Sequence, residues 1–81
     1  MNTNKWDKSA SRLLKAELAK REITYAQLQE KLAIMGIEKT ATHIGAMLSR
    51  GTFSAVFFLQ CLLAIGVKNL QLDDTIFEIK K

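Results

Sequence analysis

The sequence predicts an all-α fold, a compact bundle of four helices followed by a C-terminal tail that is either extended or a short β-strand. Three observations predict it. The 81 residues contain no proline and are 48% hydrophobic, a composition that favours an ordered helical globule over a disordered or turn-rich β chain. Apolar residues recur at helical spacing in successive segments. Gly36, Gly51 and Gly66 stand where such segments end, in the position that terminates helices in a left-handed conformation.

The first helix is expected from Trp6 to Arg21. At ~100° per residue, Trp6, Ala10, Leu13, Leu14 and Leu18 share one side, and Lys5, Lys8, Arg12 and Lys15 form a stripe roughly 80° wide on the other. The apolar side should pack and the basic stripe should face outward, either as a solvated face or as a strip for phosphates.

The second helix has the clearest start. Thr24 with Gln27 three residues on makes a capping box, and Ile23 and Leu28 occupy the two positions of a hydrophobic staple. Leu28 and Leu32 carry its buried stripe, and Gly36 stops it, giving Tyr25 to Met35.

Thr40 is a suitable N-cap for the third helix, with Thr42 as an alternative after a longer turn. Ala41, Ile44 and Leu48 share an inward face, which leaves Thr42, His43, Gly45, Ala46, Ser49 and Arg50 outward before Gly51 ends the helix.

Ser54, bracketed by Phe53 and Phe58 as a second staple, starts a fourth helix at Ala55 that ends before Gly66. This helix is apolar nearly all round, from Val56 to Ile65 with Gln60 as the one interruption, and it must be covered on more than one side. Either the tail or a second copy of the chain has to supply that cover. A homodimer would use Val56, Leu59 and Leu63, with Phe77 and Ile79 of the tail. In the tail, Leu70 with Leu72 and Phe77 with Ile79 alternate as a strand does, although Ile76 breaks the pattern. Pairing with the same strand of a second subunit and folding over the fourth helix are both open to it.

Composition bounds what such a chain does. It has the length of one domain, residues 1–81, with a core over about 6–67 and a tail over 68–81. No apolar run approaches the ~20 residues needed to span a bilayer, and Met1-Asn2-Thr3-Asn4-Lys5 does not read as a signal peptide, so a cytoplasmic location is expected. The single cysteine, Cys61, lies in an apolar run and is expected to be buried and inert. One histidine, no glycine-rich phosphate loop and no clustered carboxylates give no nucleophile, base or metal-ligand constellation. The expectation is a protein that is not an enzyme and takes no cofactor, no metal and no small-molecule ligand. Net charge is +4, of which residues 1–22 hold +3 (six cations, three anions), and a basic domain of this kind is compatible with a polyanionic partner.

Between Met35 and Thr40 lie four residues with one glycine, the turn length of a helix-turn-helix. Thr24-Tyr25-Ala26-Gln27-Leu28 with Leu32, then Ile44, Leu48 and Ser49-Arg50-Gly51, and a helix ending Ala64-Ile65-Gly66-Val67, resembles the helix-turn-helix domains of the lambda-repressor/Cro-like class. More narrowly, Ser49-Arg50-Gly51-Thr52-Phe53-Ser54-Ala55 with Phe57-Phe58-Leu59-Gln60-Cys61-Leu62 and Ala64-Ile65-Gly66 resembles a small uncharacterised bacterial domain family, over roughly residues 8–72.

The wider resemblance implies duplex DNA as partner, with the third helix in the major groove and the start of the second on a phosphate. Matching positions are Thr42, His43, Ala46, Ser49 and Arg50 for bases and Tyr25 for phosphate, joined by Lys39, Thr40, Lys8, Arg12 and Lys15. A regulator of transcription or an architectural factor is the implied role. Gly45 and Ala46, at the centre of the third helix, offer no donor or acceptor to a base edge. His43 reads otherwise as a surface histidine near a helix N-terminus. The competing reading is a helical interaction or oligomerisation module whose business lies on the fourth helix.

Overall fold

The computed structural model describes residues 8–70 and 72, and within them the chain forms four α-helices and no strand. These are α1 (Ser9–Lys20), α2 (Tyr25–Ile34), α3 (Ala41–Arg50) and α4 (Ala55–Ala64). Trp6, which the sequence places at the start of the first helix, lies outside the described residues, as do Lys5, Phe77, Ile79 and the strand or arm expected of them. The described residues hold no helix long and apolar enough to cross a membrane.

Local chemistry sets three of the four starts. Thr24 Oγ1 accepts from Gln27 N at 3.1 Å while Gln27 Oε1 accepts from Thr24 N at 2.9 Å, closing the capping box. Thr40 and Ser54 cap α3 and α4 the same way, each accepting the backbone N–H three residues on at 3.0 Å. The staple before α4 is visible as stacking of Phe53 on Phe58, with ring centroids 6.1 Å apart.

Three helices share one kind of stop. Ile23 N–H bonds to Leu18 O and Glu22 N–H to Ala19 O; Ile37 and Gly36 repeat the pair on Leu32 and Ala33, and Val67 and Gly66 on Leu62 and Leu63. This double closure is the Schellman arrangement, with a left-handed residue followed by an apolar one that returns to the helix it ends. Ile23, Ile37 and Val67 accordingly pack against the core. The left-handed residue is Gly36 and Gly66 in two cases and Glu22, at φ 55°, in the third.

The core joins Leu14 and Leu18 of α1, Leu28 and Leu32 of α2, Ile44, Met47 and Leu48 of α3, and Phe57, Cys61 and Leu62 of α4, with Ile65 beyond it. α2 packs on α3 and α4, and α1 on α3 and α4.

Two expectations about faces need correction. α1 does not have a purely apolar inner side, because Ser9, Ser11 and Glu17 are buried beside Leu13, Leu14 and Leu18. Those positions span an arc of roughly 200° at ~100° per residue, so α1 is enclosed over more than half its circumference and Arg12 of the basic stripe is half-buried. On α3, Met47 is buried with Ile44 and Leu48 while Ala41 is only half-buried, and Gly45 faces a neighbouring side chain instead of solvent. The inward face is therefore rotated from the expected one.

Candidate functional site

The outward surface of α3 lies between two edges. Taking Gly45 as zero and ~100° per residue, Ser49, Thr42, Ala46, Arg50 and His43 fall in that order across roughly 40–160°. Thr42, His43, Ser49 and Arg50 are exposed and Ala46 is half-buried.

The edge nearest Gly45 is walled by α2. A Cβ placed on Gly45 would lie 3.3 Å from both Cδ2 and Cε2 of Tyr25, the first residue of α2, so the absence of a side chain lets the ring lie against the middle of α3. Tyr25 is thus half-buried and held at the border of the α3 surface. In the first turn of α2, Thr24 satisfies the N–H of Gln27, and the N–H groups of Tyr25 and Ala26 have no partner within the helix.

α1 borders the same edge. Lys15, exposed, lines an open recess with Leu18, Ala19, Ile23, Thr24 and Tyr25 at the amino end of α2. Two turns earlier, at the residue just before α1, Lys8 Nζ donates to Ser49 O at 3.1 Å at the far end of α3. The basic stripe of α1 therefore runs from the carboxyl end of α3 to the amino end of α2.

The remaining phosphate candidates are placed differently. Lys39, half-buried, holds its ammonium 5.9 Å from the ring centroid of Phe57, a cation–π contact on α4. The Thr40 hydroxyl is engaged in capping α3. Lys8 is exposed, as an outward-facing stripe requires, and its ammonium also donates to a backbone carbonyl, because a four-carbon stem rooted beside the end of α3 reaches it. Of the cations on the stripe of α1, Lys15 is the exposed one whose recess adjoins α2.

Sequence reasoning missed two residues that hold α3. Ser11 Oγ, buried, donates to Leu48 O at 2.5 Å. At the other end, Gln29 Oε1 of α2 accepts from Ala41 N at 2.8 Å. Ser11 carries a detectable signal, since a serine about 60° from Leu14 on a helix's apolar side needs a partner; Gln29 carries none.

On α4, Val56, Leu59 and Leu63 are 63%, 63% and 69% exposed, while Phe57, Cys61 and Leu62 are buried. Leu59 and Leu63 also line an open apolar groove with Leu62, Val67, Lys68 and Leu70. Burial pushes the Cys61 thiol up to about 12. Among the described residues no group of three or more His, Cys, Asp or Glu side chains is placed to hold a metal ion.

No curated protein and no solved structure matches this chain. Residues 6–70, which take in all four helices and every side chain placed above, match the family described as Domain of unknown function (DUF6471), and the chain belongs to that family.

Proposed function

We propose that the protein binds duplex DNA as a small helix-turn-helix regulator or architectural factor, with α2 and α3 as the two helices of the motif. α3 faces the major groove through Thr42, His43, Ala46, Ser49 and Arg50. Arg50 supplies the bidentate donor suited to guanine, and Ala46 is small enough to meet a thymine methyl. Tyr25, with the free N–H groups at the start of α2, and Lys15 take phosphates.

The observation that supports this most is the position of Tyr25. Its ring against Gly45 puts the amino end of α2 at the edge of the outward face of α3, so a phosphate contact and a base contact lie on one side of the molecule. Lys15 shares the recess beside Tyr25 and adds a cation there.

The test is fluorescence anisotropy with a mixed-sequence duplex at 50 and 200 mM salt. Binding that weakens steeply with salt is the expected result, because released counterions drive it. Absence of binding at the lower salt overturns the reading.

A second reading has its own observation. Val56, Leu59 and Leu63 recur along one side of α4 and stay exposed, a surface suited to a second copy or another apolar partner. We propose a homodimer through it, which would present two α3 helices to DNA. Alone, without DNA binding, the same surface would make the chain an interaction module.

A further inference from the structure

α3 is held at both ends by side chains from α2, from α1 and from the residue before α1, with Gln29 on the N–H of Ala41 and Ser11 and Lys8 on the carbonyls of Leu48 and Ser49. The carboxyl end is the unusual one. The last carbonyls of a helix lack helical partners and carry a partial negative charge. Arg50 is the last residue of α3, so any phosphate approaching Arg50 meets that negative end as well.

We infer that Lys8 and Ser11 form a clamp on the carboxyl end of α3 that positions Arg50 for DNA, with Lys8 acting through α3 and not as a phosphate contact itself. The inference rests on the DNA-binding reading above. Ser11 fixes where the last turn lies, since its hydroxyl is buried and its acceptor is a backbone atom 37 residues away in the chain. Lys8 places a full positive charge 3.1 Å from the Ser49 carbonyl oxygen and offsets the partial charge of the helix end. The backbone next to Arg50 is then held, and its partial negative charge no longer opposes a polyanion. A lysine bound in this way has its ammonium directed at the protein.

A double-mutant cycle with Lys8→Met and Arg50→Ala separates the two roles, read by anisotropy with the mixed-sequence duplex at several salt concentrations. Thermal unfolding runs in parallel to show that each variant is folded. The clamp predicts that Lys8→Met weakens binding about two- to fivefold in the parent and hardly at all once Arg50 is gone. It also predicts an unchanged slope of log affinity against log salt for Lys8→Met. Additive losses, with a slope reduced by about one, would show Lys8 on a phosphate and overturn the proposal. So would an Arg50→Ala variant that binds as tightly as the parent, which leaves the DNA reading intact.

Hydrogen exchange at the amides of Arg50 and Gly51 gives a measurement that needs no DNA. Ser11→Ala and Lys8→Met should each speed it severalfold, and unchanged exchange in both rejects the clamp. If the parent itself fails to bind DNA, the functional reading falls together with the positioning role, and exchange alone then decides whether the clamp exists.

Discussion

The ring of Tyr25 lies against Gly45, so close that a Cβ on Gly45 would stand 3.3 Å from two ring carbons. Glycine inside a helix costs about 1 kcal/mol relative to alanine, which makes this contact a choice of proximity over helix stability. Gly45→Ala recovers the propensity and pushes the ring a few tenths of an ångström away from α3. The midpoint of thermal unfolding should stay within about 8 °C of the parent, since a balance under 1 kcal/mol moves a domain of this size by no more than that. Affinity for duplex DNA should fall severalfold. An alanine variant that binds as the parent does removes Tyr25 from the DNA interface.

Glu22 occupies the left-handed position that glycine fills after α2 and α4, at φ 55°. A side chain costs on the order of 1 kcal/mol there, while the hydrogen bonds around it match those of the two glycine stops. Glu22→Gly should therefore raise stability by about 0.5–1 kcal/mol, a gain of a few degrees in the unfolding midpoint. Loss of stability would mean that the Glu22 side chain makes a compensating interaction.

Most of this fold is legible in the sequence because local chemistry sets it. Thr24, Thr40 and Ser54 cap their helices through groups three residues away, and Gly36, Gly51 and Gly66 take up the left-handed conformation that ends them. Rotation about the helix axes was harder to read. Met47 is buried and Gly45 meets Tyr25 because of how α3 packs on its neighbours, a long-range fact with no mark in a ten-residue window. The site residues divide the same way. Exposure of Thr42, His43, Ser49 and Arg50 follows from periodicity, whereas the contacts of Lys8 with Ser49 and Lys39 with Phe57 join segments far apart in the chain. Glu22 left no signal at all, because nothing about a glutamate indicates positive φ.

Glu17 is a buried carboxylate between two cations, with Oε1 2.5 Å from Arg21 Nη1 and Oε2 3.2 Å from Lys20 Nζ. Burial alone raises its pKa, but the hydrogen bonds and charges of Arg21 and Lys20 outweigh that and hold it below the ordinary carboxylate value. A group whose pKa is lower folded than unfolded stabilises the fold above its unfolded pKa, and the contribution is lost as pH falls through the folded one. Glu17→Gln should thus be less stable than the parent at pH 7, by about 1 kcal/mol given that Lys20 is exposed. The two should converge below the ordinary carboxylate range. Parallel stability curves down to pH 2.5 would show that the ion pairs contribute nothing.

The Cys61 thiol, fully buried in the core and held up to about 12, should not react with an aromatic disulfide reagent at pH 8 while the protein is folded. Its reaction should follow the opening of the core and accelerate with denaturant in step with unfolding. Fast labelling under native conditions would mean that α4 separates from the bundle far more readily than its packing against α1 and α2 indicates.

Leu59 tests the exposed side of α4 with the least damage to the core, since it is 63% exposed while Phe57, Cys61 and Leu62 carry the packing. Val56 and Leu63 lie three residues before it and four after, and all three share one face. Two antiparallel α4 helices related by a two-fold axis near the midpoint of that stripe would set Val56 of each copy against Leu63 of the other, the self-complementary contact of a symmetric dimer. Leu59→Glu puts two like charges near that axis without burying one in the monomer. By sedimentation velocity over a range of concentrations, the parent should associate and the variant should remain monomeric, with the unfolding midpoint of a dilute sample little changed. DNA binding should weaken as well if two α3 helices act together, and should persist unchanged if a single copy suffices. A parent that is monomeric at every concentration leaves the α4 stripe without a second copy as its partner.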